Sequence, residues 1–258
     1  MHRMFMSIAA FMLAATLVTA QDDRLGEISF DEVTLTEEKV PYFAVGVGFT
    51  ASAMFPDLAD VSAHATSYGL GELSGPMFVS GADIFTAIAI VPNVRAGFYW
   101  LGGGLETTGN IQVSNQPITR TMSYTFEMRG VYFDYAFVPT KGLAILPGLR
   151  AGWGTQSIEL YQGAASRSWS DFAGPNDLLP SPDAYQLLQR DVLHVAPQLN
   201  IEYALTPFLN LRAAAAYQMQ VSAADWISTK TSTVAGLPDG INMNAFSASI
   251  GVFVGLFN

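Results

Sequence analysis

The chain has 258 residues, half of them apolar, 12% aromatic and only 13% charged, with a mean hydropathy of +0.28. Soluble domains carry roughly 25% charged residues, so this composition is short of the charge needed to cover a water-exposed surface, and it is too apolar for a disordered chain. A net charge of −10 excludes a basic nucleic-acid-binding face, and the lack of cysteine excludes disulfides, thiolate metal sites and a cysteine nucleophile.

Residues 1–20 read as a cleaved signal peptide: His2 and Arg3, an apolar stretch from Phe5 to Val18, and small residues before Gln21. Residues 21–40 follow as an acidic periplasmic segment, with seven carboxylates against Arg24 and Lys39. Downstream, no stretch is long and apolar enough for a membrane helix, since Gly, Ser, Thr and Asn interrupt the longest ones. An exported chain this apolar and without a spanning helix points to a closed transmembrane β-barrel over residues 41–258.

The hydrophobic period supports this, because it is two rather than 3.6. The spacing predicts a first strand over 42–55, where Phe43, Val45, Val47 and Phe49 alternate with small residues. Further strands follow near 77–91, 94–105, 121–138 and 143–157. In the fourth, Tyr124, Phe126 and Met128 share one parity while Val131, Phe133, Tyr135 and Phe137 share the other. A β-bulge at Gly130 would bring both sets to the lipid face. Leu193, Val195, Pro197, Leu199, Ile201, Tyr203 and Leu205 make the sixth strand. Leu209, Leu211, Ala213, Ala215, Tyr217, Met219 and Val221 make the seventh, and 242–257 the eighth. Short turns at 92–93, 139–142 and 206–207 alternate with long loops near 56–76, 106–120, 158–191 and 223–241. Eight antiparallel strands running up and down, with short periplasmic turns and long extracellular loops, produce that order.

Charge placement fits a membrane barrel better than a soluble one, whose lumen would be apolar and whose exterior would be charged. The strand acids Asp83, Glu127, Asp134 and Glu202 balance Arg95, Arg129, Arg150 and Arg212, while the loops carry eleven acids and four bases. We therefore expect a structural lumen network of Arg95, Glu127, Arg129, Asp134, Arg150, Glu202 and Arg212. Glu202 and Arg212 face each other across the Thr206-Pro207 turn, and Arg150 lies near Glu127, Arg129 or Asp134. Removing any member would strand a buried charge. Two aromatic belts flank the apolar band: Trp100, Tyr124, Trp153, Tyr217 and Phe246 on the loop side, and Phe43, Tyr135, Phe137 and Tyr203 on the turn side.

With eight strands, asymmetric loops and the ending Ile250-Gly251-Val252-Phe253-Val254-Gly255-Leu256-Phe257-Asn258, residues 41–258 resemble the small outer-membrane barrels of the OmpA-barrel, OmpX and OmpW type. The resemblance implies a Gram-negative-type outer membrane, contact with its lipid, and recognition of a terminal aromatic by the assembly machinery. Here Phe257 is penultimate, and its parity turns it away from the apolar face.

The sequence offers little chemistry. Gly102-Gly103-Gly104 lacks the Lys-Ser/Thr of a phosphate-binding loop. His194 falls on the lumen parity with Asp191 nearby, but no local motif joins them to a serine. No catalytic residue, metal ligand or cofactor is assigned. The third long loop, with Trp169, Phe172 and Tyr185, is the candidate contact for a surface partner; a periplasmic partner would meet the acidic segment. The expected function is a non-enzymatic barrel with a filled polar lumen and a structural or surface-interaction role. A narrow pore or lateral channel for small or apolar solutes, and a lipid-modifying enzyme, are the competing readings.

Overall fold

A computed structural model describes residues 42–113, 116–164, 184–228, 232–238 and 240–257. The expectations for 1–40, together with Trp169 and Phe172, lie outside the described residues. β1 (Ala44–Pro56) leads into helix α1 (Ala59–Ser67), then β2 (Met77–Ala87), β3 (Val94–Val113), β4 (Gln116–Tyr135), β5 (Phe137–Thr140) and β6 (Leu143–Ala164). β7 (Ala184–Thr206), β8 (Leu209–Ala223), the short β9 (Trp226–Ser228) and β10 (Ser232–Val234), and β11 (Ala245–Phe257) complete the order.

Eight of these strands form a ring, β1-β2-β3-β4-β6-β7-β8-β11, in which every neighbour pair is antiparallel. The ring closes where β1 pairs with β11, from Ala44 opposite Phe257 to Pro56 opposite Ala245. Closure removes the unpaired edges that an open sheet would present to lipid. The chain forms an up-and-down transmembrane β-barrel, as the period-two pattern predicts. Among the described residues no helix is long and apolar enough to cross a membrane.

Alternation along each strand sets the two faces. Val47, Phe49, Ile84, Phe98, Phe133, Leu149, Leu199, Leu211, Ile250 and Val252 are exposed on the outside, where lipid covers them. β1 and β11 have 13 residues each, a little more than the roughly 9–11 that cross a bilayer at a tilt. β3, β4, β6 and β7 have 20, 20, 22 and 23, so they run well past the apolar band on the loop side. The region 106–120, expected as a loop, is largely the upper part of the β3–β4 hairpin.

The expected bulge at Gly130 is absent: β4 keeps one unbroken register against β3 and against β6. Consequently Tyr124, Phe126 and Met128 are buried inside the barrel, while Glu127 and Arg129 are exposed on the outside. The cause is the change of solvent along the strand. Below Arg129 the outward residues Val131, Phe133 and Tyr135 meet lipid; above it Thr125, Ser123 and Thr121 meet water, and the apolar set turns to the interior. The other aromatic assignments hold, with Trp100, Trp153, Tyr217 and Phe246 on one rim and Phe43, Tyr135, Phe137 and Tyr203 on the other, all exposed. Phe257 points inward and packs on Phe85 at 6.3 Å between ring centres.

Candidate functional site: a charged lumen under an apolar lid

The turn-side half of the lumen holds one continuous chain of buried ion pairs. Arg212 and Glu202 stand opposite each other across β7 and β8, and Arg212 Nε lies 2.6 Å from Glu202 Oε1. The same carboxylate oxygen takes Arg95 NH1 at 2.5 Å. Arg95 continues to Asp134, with NH2 at 2.7 Å from Oδ2. On its other side Arg212 reaches Asp83 Oδ2 at 2.6 Å. Asp134, Arg95, Glu202, Arg212 and Asp83 thus tie five strands together across the barrel, and all are nearly fully buried.

Neutral donors complete the network, as buried carboxylates require. The Tyr132 hydroxyl donates to Asp83 at 2.6 Å. Tyr42 and Asn210 donate to Glu202 Oε2 at 3.2 and 3.0 Å. Gln198 and Asn200 donate to Asp134 at 2.6 and 3.2 Å. Both guanidinium groups also lie over Phe85, at 4.6 and 4.8 Å from its centre, and Arg212 lies 4.0 Å from that of Phe253. Such cation–π contacts strengthen when desolvated. A small void of about 20 Å³ lies at the turn-side end, lined by Tyr42, Glu202, Asn210 and Phe257 among others, room for about one water.

Of the expected lumen residues, Arg95, Asp134, Arg150, Glu202 and Arg212 face inward; Glu127 and Arg129 do not. Because these two carry opposite charges, the balance survives: among the described residues of this half, Asp83, Asp134 and Glu202 face Arg95, Arg150 and Arg212. Arg150 meets neither Glu127 nor Arg129. Its Nε donates to Gln198, which passes the contact to Asp134. Small residues make room for the large ones. A Cβ on Gly97 would stand 2.2 Å from the Tyr132 ring that lies across it. Asp83, Tyr42, Tyr132, Asn200 and Asn210 belong to the network but not to the expected set; their lumen parity is the sequence signal that marks them.

His194 sits one storey higher, fully buried, with Nε2 2.6 Å from the Tyr99 hydroxyl. Arg150 lies over the same tyrosine at 5.1 Å. Asp191, three residues from His194, faces outward and accepts a hydrogen bond from Thr155 at 3.2 Å. The two therefore lie on opposite sides of the barrel wall and form no catalytic dyad.

The loop-side half of the lumen is largely apolar, with Gln156, Gln218 and the Tyr124 hydroxyl buried among its side chains, which departs from the polar interior expected from the sequence. Met54, Met77, Met122, Met128, Phe126 and Met243 are buried there. Above them α1 contributes Val61 and Ala65, and the chain beyond it adds Leu70 and Leu73. Residues 241–243 fold down on the same mouth: Arg190 donates to Gln156 and to the Ile241 carbonyl, and Trp226 lies under its guanidinium at 4.6 Å. Tyr185 stands exposed on the outer part of β7.

Charged below, apolar above and sheathed in lipid-facing side chains, this is a membrane barrel with a packed interior. The fold is a closed, eight-stranded, up-and-down antiparallel barrel. Among solved structures, the chain is similar to the attachment invasion locus protein Ail of Yersinia pestis, with 11% identity, 84% of this chain and 99% of that one covered, and a TM-score of 0.36. It is similar to the outer membrane protein OprG of Pseudomonas aeruginosa at 12% identity, with 84% and 94% covered and a TM-score of 0.36. For a major outer membrane protein of Thermus thermophilus the values are 9%, 81%, 99% and 0.43. No family model and no curated protein matches the chain.

Proposed function

We propose that the protein is a non-enzymatic barrel of a Gram-negative-type outer membrane, closed to solutes along its lumen, that acts as a structural and surface-interaction element. The observation that carries this reading is the buried chain from Asp134 to Asp83. Opening a path there would break several desolvated ion pairs at once, each costly to separate. The apolar lid over the other half adds a second closure. The functional surface is then the polar sheet of β3, β4, β6 and β7 beyond the lipid band, which exposes Glu106, Thr108, Tyr161 and Tyr185, and the third loop with Trp169 and Phe172. Its partners are outer-membrane lipid, the barrel assembly machinery, and a surface or periplasmic protein.

Planar-bilayer recording tests the closed lumen. The refolded chain is expected to give no steady conductance, and regular porin-like steps from the wild-type protein would overturn the reading. Outer-membrane fractionation with heat-modifiable migration tests the location. An altered lipid profile that depends on His194 would overturn the non-enzymatic assignment.

A further inference from the structure

We infer that the outer wall of the barrel carries a seat for one phosphorylated glycolipid of the loop-side leaflet, held by Arg129 and Trp153 directly and by Asp191 through a divalent cation. The inference deepens the outer-membrane reading above and rests on it. Arg129 is exposed on the outer wall, and its row across the sheet runs Trp100, Arg129, Trp153 and Leu193. Two residues nearer the turn side the row is Phe98, Val131, Ala151 and Val195, all apolar. Two residues farther out it is Gly102, Glu127, Thr155 and Asp191. Arg129 therefore marks the level where the wall passes from lipid to water, between two exposed indoles of the loop-side belt.

Arg129 makes no ion pair among the described residues; its contact is the face of Trp153, 5.9 Å away. The other two described arginines of the loop-side half are engaged by the protein. Arg120 donates to Gln162 and to the Tyr68 carbonyl, and Arg190 to Gln156 and the Ile241 carbonyl. A guanidinium fixed at the lipid boundary is costly unless an anion meets it there. Beside it opens a cleft of about 450 Å³, lined by Arg129, Trp153, Thr155, Asp191 and Ser222 among others. The cleft forms where the β7–β8 ladder ends at Val192 opposite Ala223. Arg129 and Asp191 are two strands and two residues apart, about 10 Å across the sheet and about 7 Å along it. The cleft thus has a cation on its lipid side and, on its water side, a carboxylate oriented by the Thr155 hydroxyl at 3.2 Å.

The loop-side leaflet of a Gram-negative-type outer membrane is built of acylated sugar phosphates. Their phosphates lie where the acyl chains end, which is the level of Arg129, and a guanidinium takes a phosphate by two parallel hydrogen bonds. The exposed rings of Trp100 and Trp153 offer apolar surface to the sugar. Asp191 would repel a bare phosphate, since like charges across an interface are unfavourable. A divalent cation removes that conflict, because such ions bind through one or two carboxylates together with phosphate oxygens. A glycerophospholipid, with no sugar ring, leaves the two indoles uncovered and fits worse.

Native mass spectrometry of the full chain, refolded in detergent with Mg²⁺ and equal amounts of lipid A, dephosphorylated lipid A and phosphatidylglycerol, tests this. One lipid A should be retained over each of the others by about two- to fivefold, the range that exposed ion pairs provide. Arg129→Ala should remove most of the margin over the dephosphorylated form. Chelating the Mg²⁺ should lower lipid A retention by the wild type. Asp191→Asn should lower it to the same level and make it insensitive to chelation. Equal retention of lipid A and its dephosphorylated form, phosphatidylglycerol held as well or better, an Arg129→Ala chain with an unchanged margin, or an Asp191→Asn chain that binds lipid A better would overturn the inference. Heat-modifiable migration separates the two levels: a chain that folds into such a barrel without the preference refutes the seat alone, and one that forms no such barrel refutes the membrane reading.

Discussion

Arg212→Leu should be among the most damaging single changes in the barrel, and the identity of its rescuing partner follows from the lumen geometry. Arg212 bridges Asp83 and Glu202, both at 2.6 Å. With the guanidinium gone, Glu202 keeps Arg95 at 2.5 Å together with Tyr42 and Asn210. Among the described residues Asp83 keeps only the Tyr132 hydroxyl and stays buried without a cation. Breaking a buried pair in this way costs about 3–5 kcal/mol. Removing the stranded carboxylate as well, in Asp83→Leu with Arg212→Leu, should recover about 0.5–3 kcal/mol, the usual coupling between contacting residues. The other double variant, Glu202→Leu with Arg212→Leu, still strands Asp83 and also takes a carboxylate from Arg95, so it should recover nothing. Urea unfolding in thin-lipid vesicles, followed by tryptophan fluorescence, gives the comparison. A wild-type midpoint for Arg212→Leu, or equal rescue by the two doubles, would refute the assignment of Asp83 as the dependent partner.

Gly97→Ala places a Cβ against the Tyr132 ring, and the displaced ring loses its bond to Asp83, so the urea midpoint should fall by the equivalent of about 1–3 kcal/mol. Tyr99→Phe leaves His194 Nε2 without its hydroxyl partner; a loss of about 1–3 kcal/mol is expected, and an unchanged midpoint would show that water replaces the hydroxyl. Ala65→Asp puts a carboxylate into the buried face of α1 and should lift the lid without unfolding the ring. Chymotrypsin would then cut near Tyr68 while heat-modifiable migration persists, and continued resistance would count against the lid.

Much of this architecture is legible in the sequence, because a lipid-exposed wall with a packed interior forces alternation at every step. Phe43 to Phe55, Leu193 to Leu205 and Leu209 to Val221 read correctly from parity alone. Even the Glu202–Arg212 pair follows from counting back across the Thr206-Pro207 turn. These are local consequences of a period of two and a short hairpin, and they need no knowledge of distant strands.

β4 marks where that reading stops. Its apolar residues change parity at Arg129, and a bulge and a change of solvent predict the same string of letters. Only the unbroken register with β3 and β6 distinguishes them, and it moves Glu127 and Arg129 from the lumen to the outer wall. Asp83 shows the same limit in the charge network: its distance from Arg212 along the chain is 129 residues, and ring closure through β11 and β1 brings the two together. Strand number, loop asymmetry and, outside β4, parity are properties of single strands and their neighbours, so the sequence by itself determined them. Which inward charge meets which, and what solvent lies against each stretch of wall, depend on closing the ring and on where the strands leave the lipid, and those the tertiary structure decided.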